Sequence, residues 1–392
     1  MTTPDAAPPA PPVPIGDRPA TARVGMVGGG QLARMTHAAA IDLGVDLHVL
    51  AVHADEPAAL AGAVTRLGRP DDEAALRAFA AEVDVLTLDH ELVADDVLGL
   101  LAAEGVAVRP SAAALLFAKD KLYARTQLSA RGLPVPPFAA VREPEDVAAF
   151  AVEHGWPVVA KSTRGGYDGR GVEVVSTVAE ATAVLARGGS WMVEAHVDIA
   201  IELAVVTARR PGGEQVTYPV VETVQHEGQL VELVQPARVA PALAEEAARL
   251  GTEVAAAIDG VGIIAVELFV DRAGHLTLNE VAVRPHNSGH ATIEAATTSQ
   301  FHNHLRAVLD WPLGDTALRA PAAALVNLLG PAGPDRIAER LPEALAVGDA
   351  AVHLYGKASR PGRKIGHVTV LGADAEVALA RAREAAARLL AP

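Results

Sequence analysis

The sequence of 392 residues contains no cysteine. That absence excludes disulfides, thiolate metal ligands and a cysteine nucleophile. Aromatic residues make up only 3% of the chain, which with abundant alanine is typical of a biased genomic composition and says little about function. Basic residues are few relative to acidic ones, 33 Lys and Arg against 48 Asp and Glu, and the formal net charge is −15. A global basic surface for nucleic acid is therefore excluded, whereas a local basic pocket is not.

Long apolar runs are also missing. The longest candidates, such as residues 261–270, are interrupted by charges, so no segment is expected to span a membrane. The N-terminus lacks the basic start and apolar stretch of a secretory signal. Seven of the 27 prolines fall within the first 20 residues, which predicts a flexible Pro/Ala-rich tail over residues 1–22. We expect a cytoplasmic protein with neither membrane nor nucleic acid as a partner.

Half of the residues are hydrophobic, which is enough for large cores and for two or three domains. After residue 22 the pattern alternates between strand and helix and predicts a parallel sheet. The expected strands are 24–27, 46–52, 83–88 and 106–108, and the expected helices are 31–43, 71–81, 95–104 and 111–131.

The middle of the chain has a different pattern, because strand-like runs crowd together with few helices between them. The expected strands are 157–162, 171–176, 191–194, 201–209, 216–224, 230–234, 261–270 and 275–281, with a long helix at 243–258. This pattern favours an α+β region with much antiparallel pairing. Residues 320–392 alternate again and are expected to form a smaller module.

The first motif is the glycine-rich stretch 28–33, between a predicted strand and a predicted helix. It fits G-x-G-x-x-A, and Asp55 lies at a plausible distance downstream for a ribose contact. Backbone N–H groups at such a turn can approach an anion. The pattern alone is a weak signal, since many similar turns bind no dinucleotide.

The second motif is the segment 161–171, which contains four glycines, two arginines and a lysine between two predicted strands. Its backbone N–H groups could fold over a polyphosphate while Lys161 neutralises charge. The segment is not a P-loop, because G-x-x-x-x-G-K-[ST] is absent and no helix follows. An exposed hairpin with solvated charges is the alternative, and the density of cations and glycines favours phosphate binding.

The third motif is a pair of acidic residues in apolar surroundings, Glu267 and Glu280, on neighbouring predicted strands with Asn279 beside them. Two such carboxylates repel each other unless a cation lies between them, and Mg²⁺ fits that need. The alternative is that one of them faces solvent from an edge strand.

Two further polar stretches follow. Residues 284–290 place a guanidinium, two imidazoles, an amide and a hydroxyl in one loop, which suits an oxyanion and a polar substrate. Residues 355–367 hold four cations and three glycines before the last histidine, a plausible phosphate cradle or an ordinary basic turn. Zinc binding by His286, His290, His302 and His304 is not favoured, because H-E-x-x-H is absent. Together the motifs indicate phosphoryl transfer from a nucleotide.

The chain resembles the ATP-grasp ligases, and within them the N5-carboxyaminoimidazole ribonucleotide synthase family. The resemblance is carried by five sequence strings and by their order along the chain: 28–35, 165–171, 279–290, 326–330 and 355–367. The resemblance implies α/β and α+β structure: a parallel-sheet N-terminal domain (23–112), an ATP-grasp domain (113–310) with a mobile glycine-rich loop (164–171), and a small C-terminal domain (311–392). It implies that ATP and bicarbonate carboxylate 5-aminoimidazole ribonucleotide through carboxyphosphate, with Mg²⁺ as cofactor, in a homodimer.

The resemblance also implies the site residues. The expected ATP contacts are Arg109, Lys161, Gly166, Tyr167, Asp168, Gly169, Arg170, Gly171, Glu194, Ala195, His196, Val197, Glu202, Gln225, Asn279 and Glu280. The expected metal ligands are Glu267 and Glu280. The expected contacts to the aminoimidazole nucleotide and bicarbonate are Gly30, Gln31, Leu32, Asp89, Tyr167, Arg284, His286, Asn287, Ser288, Lys357, Arg363 and Lys364. The residues expected to act in catalysis are Arg284, His286, Asn287, Asp168 and Arg170.

Some positions depart from the family pattern. The acidic stretch 87–91 leaves open whether Asp89 or Glu91 contacts substrate, and Gln225 stands where a histidine is common, with His226 adjacent. Three other functions stay open from the sequence: a formate-using transformylase of the same superfamily, an NAD-dependent oxidoreductase built on the turn at 28–33, and a nucleotide sensor without turnover.

Overall fold

The N-terminal part of the molecule is a four-stranded parallel sheet with strand order β3-β2-β1-β4. The structure is a computed structural model that describes residues 22–166, 170–333 and 335–391. The elements of this part are β1 (Arg23–Val27), α1 (Gln31–Leu43), β2 (Asp46–Ala51), α2 (Pro57–Leu60), β3 (Val64–Leu67), α3 (Glu73–Ala80), β4 (Val85–Leu88) and α4 (Asp95–Ala103). The predicted parallel sheet is confirmed, and the central strands are apolar because both faces are covered. The predicted tail at 1–22 falls almost wholly outside the described residues.

Two expected elements of this region differ from the structure. Residues 106–108 form no strand, only a single bridge between Leu86 and Val108, and Pro110 follows without an N–H to extend the pairing. The expected helix 111–131 is two helices, α5 (Ala112–Lys119) and α6 (Lys121–Ser129). Asp120 separates them, because its backbone is extended and its carboxylate accepts a hydrogen bond from the Tyr123 N–H at 2.9 Å, which caps α6.

A small antiparallel sheet with order β5-β8-β6-β7 follows. Its elements are β5 (Phe138–Val141), α7 (Pro144–His154), β6 (Val158–Ser162), β7 (Val172–Val175), α8 (Val178–Leu185) and β8 (Trp191–Ala195). The segment between β6 and β7 contains the glycine-rich motif. Tyr167, Asp168 and Gly169 lie outside the described residues, so their expected roles and the expected loop mobility stay predictions.

A nine-stranded antiparallel sheet forms the rest of the molecule, with order β14-β13-β9-β11-β12-β15-β17-β16 and β10 paired to β9. Its elements are β9 (Ile199–Arg209), β10 (Gln215–Thr217), β11 (Val221–His226), β12 (Gln229–Gln235), α9 (Pro241–Ala257), β13 (Gly262–Asp271), β14 (Leu276–Ala282), α10 (Thr292–Ala295), α11 (Gln300–Val308), β15 (Ala322–Leu329), α12 (Ile337–Leu345), β16 (Ala350–Leu354), β17 (Lys364–Gly372) and α13 (Ala375–Leu390).

One expected strand of the large sheet differs from the structure. The expected strand 216–224 is split into β10 and β11, because Pro219 interrupts the run and has no N–H for a ladder. The C-terminal strands continue the large sheet, because β15 pairs with β12. The C-terminal cations are thereby held on the same sheet as the paired carboxylates. Within the described residues, no helix is long and apolar enough to cross a membrane.

Candidate active site

A buried ion cluster joins the small sheet to α6. Neighbouring strands β6 and β8 carry Lys161 and Glu194, and the Lys161 ammonium lies 2.6 Å from one Glu194 oxygen. The Arg125 guanidinium from α6 donates to the other oxygen at 2.6 Å. Burial opposes ionisation of Glu194, but Arg125 and Lys161 outweigh it and lower the pKa of this carboxyl. Burial lowers the pKa of Lys161 and outweighs the opposing effect of Glu194.

This cluster brings together two of the expected ATP contacts and adds a residue that the sequence analysis missed. Arg125 also donates to the backbone oxygen of Asn279, so it links the small sheet to the middle of β14. The available signal was the group of three cations at positions 119, 121 and 125, at the junction of α5 and α6.

The acidic pair lies on neighbouring strands as expected. Glu267 on β13 is directly opposite Glu280 on β14, and Asn279 donates to Glu267 at 3.2 Å. Burial, followed by the charges of Glu280 and Glu202, raises the pKa of Glu267 to about 7. Burial alone raises the pKa of Glu202 to about 7 as well.

Glu280 differs from its partner because a lysine faces it. Its side chain is 47% exposed and accepts a hydrogen bond from the Lys121 ammonium at 3.1 Å. Desolvation opposes ionisation of Glu280, but Lys121 outweighs it and lowers the pKa. No sequence motif marks Lys121, and it was not predicted. The pair therefore consists of an ionised carboxylate, Glu280, opposite one that is hard to ionise, Glu267. A divalent cation would stabilise the ionised form of both and prefers such oxygen ligands, so the pair fits Mg²⁺.

The loop that begins at Arg284 is held from two sides. The Arg284 guanidinium donates to both oxygens of Glu91, at 2.7 and 3.3 Å, in a fork-like pair. The buried Gln300 side chain accepts from the His286 N–H at 2.9 Å and donates to the His286 carbonyl at 2.7 Å. The loop is therefore fixed before any ligand binds. Gln300 carries no sequence motif and was not predicted.

His286 lies where this loop meets the acidic pair. Its Nδ1 is 2.9 Å from the Ser288 hydroxyl, and its Nε2 is 3.7 Å from a Glu267 oxygen. Burial, then the charges of Arg284 and Lys364, lowers the pKa of His286 to about 3. The imidazole is therefore neutral at physiological pH.

One hydrogen-bond donor of the Asn287 side chain has no partner among the described residues. Its side-chain oxygen accepts from Asn327 at 3.3 Å, whereas its Nδ2 is buried and has no hydrogen-bond partner among the described residues. An unpaired buried amide is unfavourable, so this donor is suited to an oxygen of a ligand.

The predicted phosphate-binding residues come from both ends of the chain. The Lys357 ammonium donates to the Gln31 side-chain oxygen at the start of α1 and lies 5.7 Å above the Tyr355 ring. Lys364 begins β17, near enough to His286 to affect its pKa. Arg363 donates to the Ala358 carbonyl at 3.2 Å.

The turn before α1 is closed by carboxylates. Asp89 accepts from the Gly30 and Ala33 N–H groups at 2.6 and 3.0 Å, and Glu56 accepts from the Gly29 N–H at 3.0 Å. A side chain at Gly30 would place its Cβ 2.4 Å from Asp89, which explains the glycine. Burial raises the pKa of Asp89 and outweighs the opposing effects of His90 and these donors. A dinucleotide pyrophosphate would have to displace both acids, so the structure disfavours the oxidoreductase alternative.

The remaining expected residues lie in several elements of the fold. A cavity of about 400 Å³ lies beside the C-terminal end of β8 and is lined by Ala195, His196 and Val197. Arg109 donates to the Val308 carbonyl at 2.6 Å. The other positions lie in the elements already described: Leu32 in α1, Gln225 and His226 in β11, and Gly166, Arg170 and Gly171 around the glycine-rich segment. Their ligand contacts stay predictions.

Three family models match successive parts of the chain. A ribonucleotide synthetase preATP-grasp domain matches residues 21–119, and an ATP-grasp domain matches residues 126–301. A phosphoribosylaminoimidazole carboxylase C-terminal domain matches residues 323–381.

Whole-chain relatives carry one name. The N5-carboxyaminoimidazole ribonucleotide synthase of Mycobacterium tuberculosis is 49% identical over 371 residues, which cover 93% of this chain and 86% of the relative. That of Corynebacterium ammoniagenes is 41% identical over 375 residues, covering 93% and 91%. A solved synthase from Aspergillus clavatus, in complex with ADP and 5-aminoimidazole ribonucleotide, is 32% identical, has a TM-score of 0.87 and covers 94% of this chain and 98% of its own. By its sequence, its three domain matches and its fold, this chain belongs to the N5-carboxyaminoimidazole ribonucleotide synthase family of ATP-grasp ligases.

Proposed function

We propose that this chain uses ATP and bicarbonate to carboxylate the exocyclic amine of 5-aminoimidazole ribonucleotide, forming N5-carboxyaminoimidazole ribonucleotide, ADP and phosphate in purine biosynthesis. The observation that carries the proposal is the position of His286, whose Nε2 lies 3.7 Å from the Glu267 carboxylate. The loop predicted to bind bicarbonate and the carboxylates predicted to bind the metal with ATP therefore meet at one point.

The nucleotide end of the site is the buried cluster around Glu194. Lys161 would lie against the phosphates of ATP, because its ammonium is held by Glu194 and faces Asn279 at 3.4 Å. Ala195, His196 and Val197 would bind the base in the adjacent cavity. Glu267 and Glu280 would hold Mg²⁺, which when bound neutralises charge on the phosphate oxygens.

The first chemical step joins bicarbonate to the γ-phosphoryl group. A bicarbonate oxygen forms the new bond to phosphorus as the bond to ADP breaks, and carboxyphosphate results. Arg284 and the unpaired Nδ2 of Asn287 are the donors suited to hold these oxyanions. With a pKa of about 3, His286 would act as a hydrogen-bonding group rather than as a base.

The second step transfers the carboxyl group to nitrogen. A bond forms between the amine nitrogen and the carboxyl carbon, directly or after release of CO₂, while the carbon–oxygen bond to phosphate breaks. The proton lost by the amine passes to the released phosphate. The nucleotide would be anchored through its 5′-phosphate by Lys357, Arg363 and Lys364, with the turn at 30–32 on the other side. Catalysis would then rest on positioning and charge neutralisation.

Two finer parts of the proposal are a homodimer and a cytoplasmic location. Membership of a family of biosynthetic synthases supports both. Sedimentation of the purified chain at micromolar concentration tests the dimer: a species at twice the 40.4 kDa chain mass is expected, and a monomer would contradict it.

The reaction is tested by measuring ADP release with Mg-ATP while bicarbonate or the aminoimidazole nucleotide is omitted in turn. We expect full turnover only with both, together with incorporation of labelled carbonate into the nucleotide. Turnover that ignores both omissions would overturn the proposal. Turnover with formate in place of bicarbonate would favour the transformylase, and ATP binding without turnover would favour a sensor.

A further inference from the structure

A second group of potential metal ligands lies away from the paired carboxylates. It comprises Glu294 on α10, His353 on β16 and His367 on β17, and each contributes one ligand atom within 4.8 Å of the other two. The two histidines are direct partners across antiparallel strands, so their side chains leave the sheet on the same face. Helix α10 packs on β17 and brings the carboxylate to that face.

The hydrogen bonds of this group are incomplete. His353 Nε2 lies 2.7 Å from one oxygen of Glu294. The second oxygen of Glu294 and Nε2 of the fully buried His367 are both inaccessible to solvent and have no hydrogen-bond partner among the described residues. Buried polar atoms of native proteins are almost always paired, so two such atoms in one group of three side chains indicate a missing ligand.

The other ring nitrogen of His367 has a partner that suits metal binding. Nδ1 lies 2.7 Å from the buried Tyr355 hydroxyl. When Nδ1–H donates to that oxygen, the lone pair of His367 is on Nε2, the atom that lacks a partner. Metal-binding histidines are typically held in this way by a hydrogen bond at the opposite nitrogen.

Binding of a shared metal ion requires one side-chain rearrangement. The His353 and His367 rings are stacked at 4.5 Å with 21° between their planes, and a shared ion needs both nitrogens to converge. The His353 side chain is 29% exposed and can turn out of the stack, whereas His367 is packed on all sides.

We propose that Glu294, His353 and His367 form a binding site for Zn²⁺ or a chemically similar divalent metal ion. This site is separate from the one at Glu267 and Glu280. Two imidazoles and a carboxylate form a three-ligand set that such ions accept in tetrahedral geometry, with water as the fourth ligand. Mg²⁺ prefers oxygen ligands and is a poor match. The ion would tie α10, which follows the loop at 284–290, to β16 and β17, the two strands that border the cation loop (residues 355–363).

The experiment is Zn²⁺ titration by calorimetry of the full chain after chelator treatment, in excess Mg²⁺ to fill the carboxylate site. Co²⁺ absorption provides a second readout, because tetrahedral coordination gives visible bands that do not depend on activity. Thermal unfolding with and without Zn²⁺ is the third. The test variants are His353→Ala and the isosteric Glu294→Gln, which both spare the fully buried His367. His302→Ala is the matched control, since His302 is another partly exposed histidine that contacts a carboxylate, Asp42, at 3.2 Å.

We expect one Zn²⁺ per chain, visible Co²⁺ bands and a higher Tm with metal. Both test variants should weaken the binding at least about tenfold, while the control binds as the parent chain does. Absence of stoichiometric binding would overturn the proposal and leave a hydrogen-bonded cluster only. Equal binding by the parent chain and either test variant would place the ion elsewhere and overturn it as well.

Discussion

The Lys357 ammonium donates a hydrogen bond to the Gln31 side-chain oxygen, although the two residues are 326 positions apart in the chain. The contact joins the start of α1 to the cation loop that precedes β17. Two sequence motifs from opposite ends of the chain are therefore in direct contact.

Replacement of Lys357 by Ala should raise the KM for the aminoimidazole nucleotide. A hydrogen bond to a charged group contributes about 1.5–3 kcal/mol, so we expect an increase of about 10- to 100-fold. Steady-state kinetics with each substrate varied in turn measures it. Arg388→Ala, which removes an exposed arginine from α13, is the control and should leave all constants near their parent values. A change in the KM for ATP alone would contradict the assignment of Lys357.

Replacement of Glu280 by Gln should impair the response to Mg²⁺. The side chain is 47% exposed, so the fold should survive, and the loss of one carboxylate ligand should weaken apparent Mg²⁺ affinity by at least about 10- to 100-fold. The measurement is ADP formation over a range of Mg²⁺ concentrations at fixed ATP. Glu214→Gln, at an exposed glutamate in a surface ion pair, is the matched control. An unaltered Mg²⁺ response in E280Q would remove this residue from the metal site.

Replacement of Arg125 by Met should destabilise the protein. Among the described residues it leaves Lys161 as the cation paired with the buried Glu194 carboxylate. Loss of one partner from a buried ion pair typically lowers the free energy of unfolding by about 3–5 kcal/mol. Urea unfolding of R125M, E194Q and the double variant measures the coupling. Because the two groups share a contact, the double variant should lose less than the sum of the single losses. Additive losses would show that the pair is not coupled.

Local pattern was sufficient to predict the parallel sheet and most strands of the larger one. The boundaries that failed depend on single residues: Asp120 caps a new helix within an apparently continuous one, and Pro219 divides an apolar run. Periodicity cannot detect such breaks, because the apolar pattern continues through them. The pairing of β12 with β15 is a long-range contact and has no local signal either.

Parts of the candidate site were predictable where the functional residues are close together in sequence, as Glu267 and Glu280 are. Other parts were not predictable, because they depend on a side chain that contacts a motif far away in the sequence. Gln300 holds the backbone of His286, yet no spacing or composition distinguishes Gln300. Glu91 belongs to the recognised acidic stretch at 87–91, but its ion pair with Arg284 is not visible in the sequence. Asp89 lies within a recognised acidic stretch, but its hydrogen bonds to the N–H groups of α1 appear only after folding.

The pKa of Glu267 predicts how stability depends on pH. This carboxyl ionises near 4.5 in the unfolded chain and near 7 when folded, so the folded state binds more protons between these values. The free energy of unfolding must therefore fall as pH rises through this window, and Glu202 contributes in the same direction. Urea unfolding without metal, from pH 5 to 8, measures the slope, and Glu267→Gln should make it shallower. Mg²⁺ binds the ionised form, so it should stabilise the parent chain more at pH 8 than at pH 5.5 and have a weaker effect on E267Q. Parallel curves for the two proteins, with equal effects of Mg²⁺, would show that Glu267 is neither the titrating group nor a metal ligand.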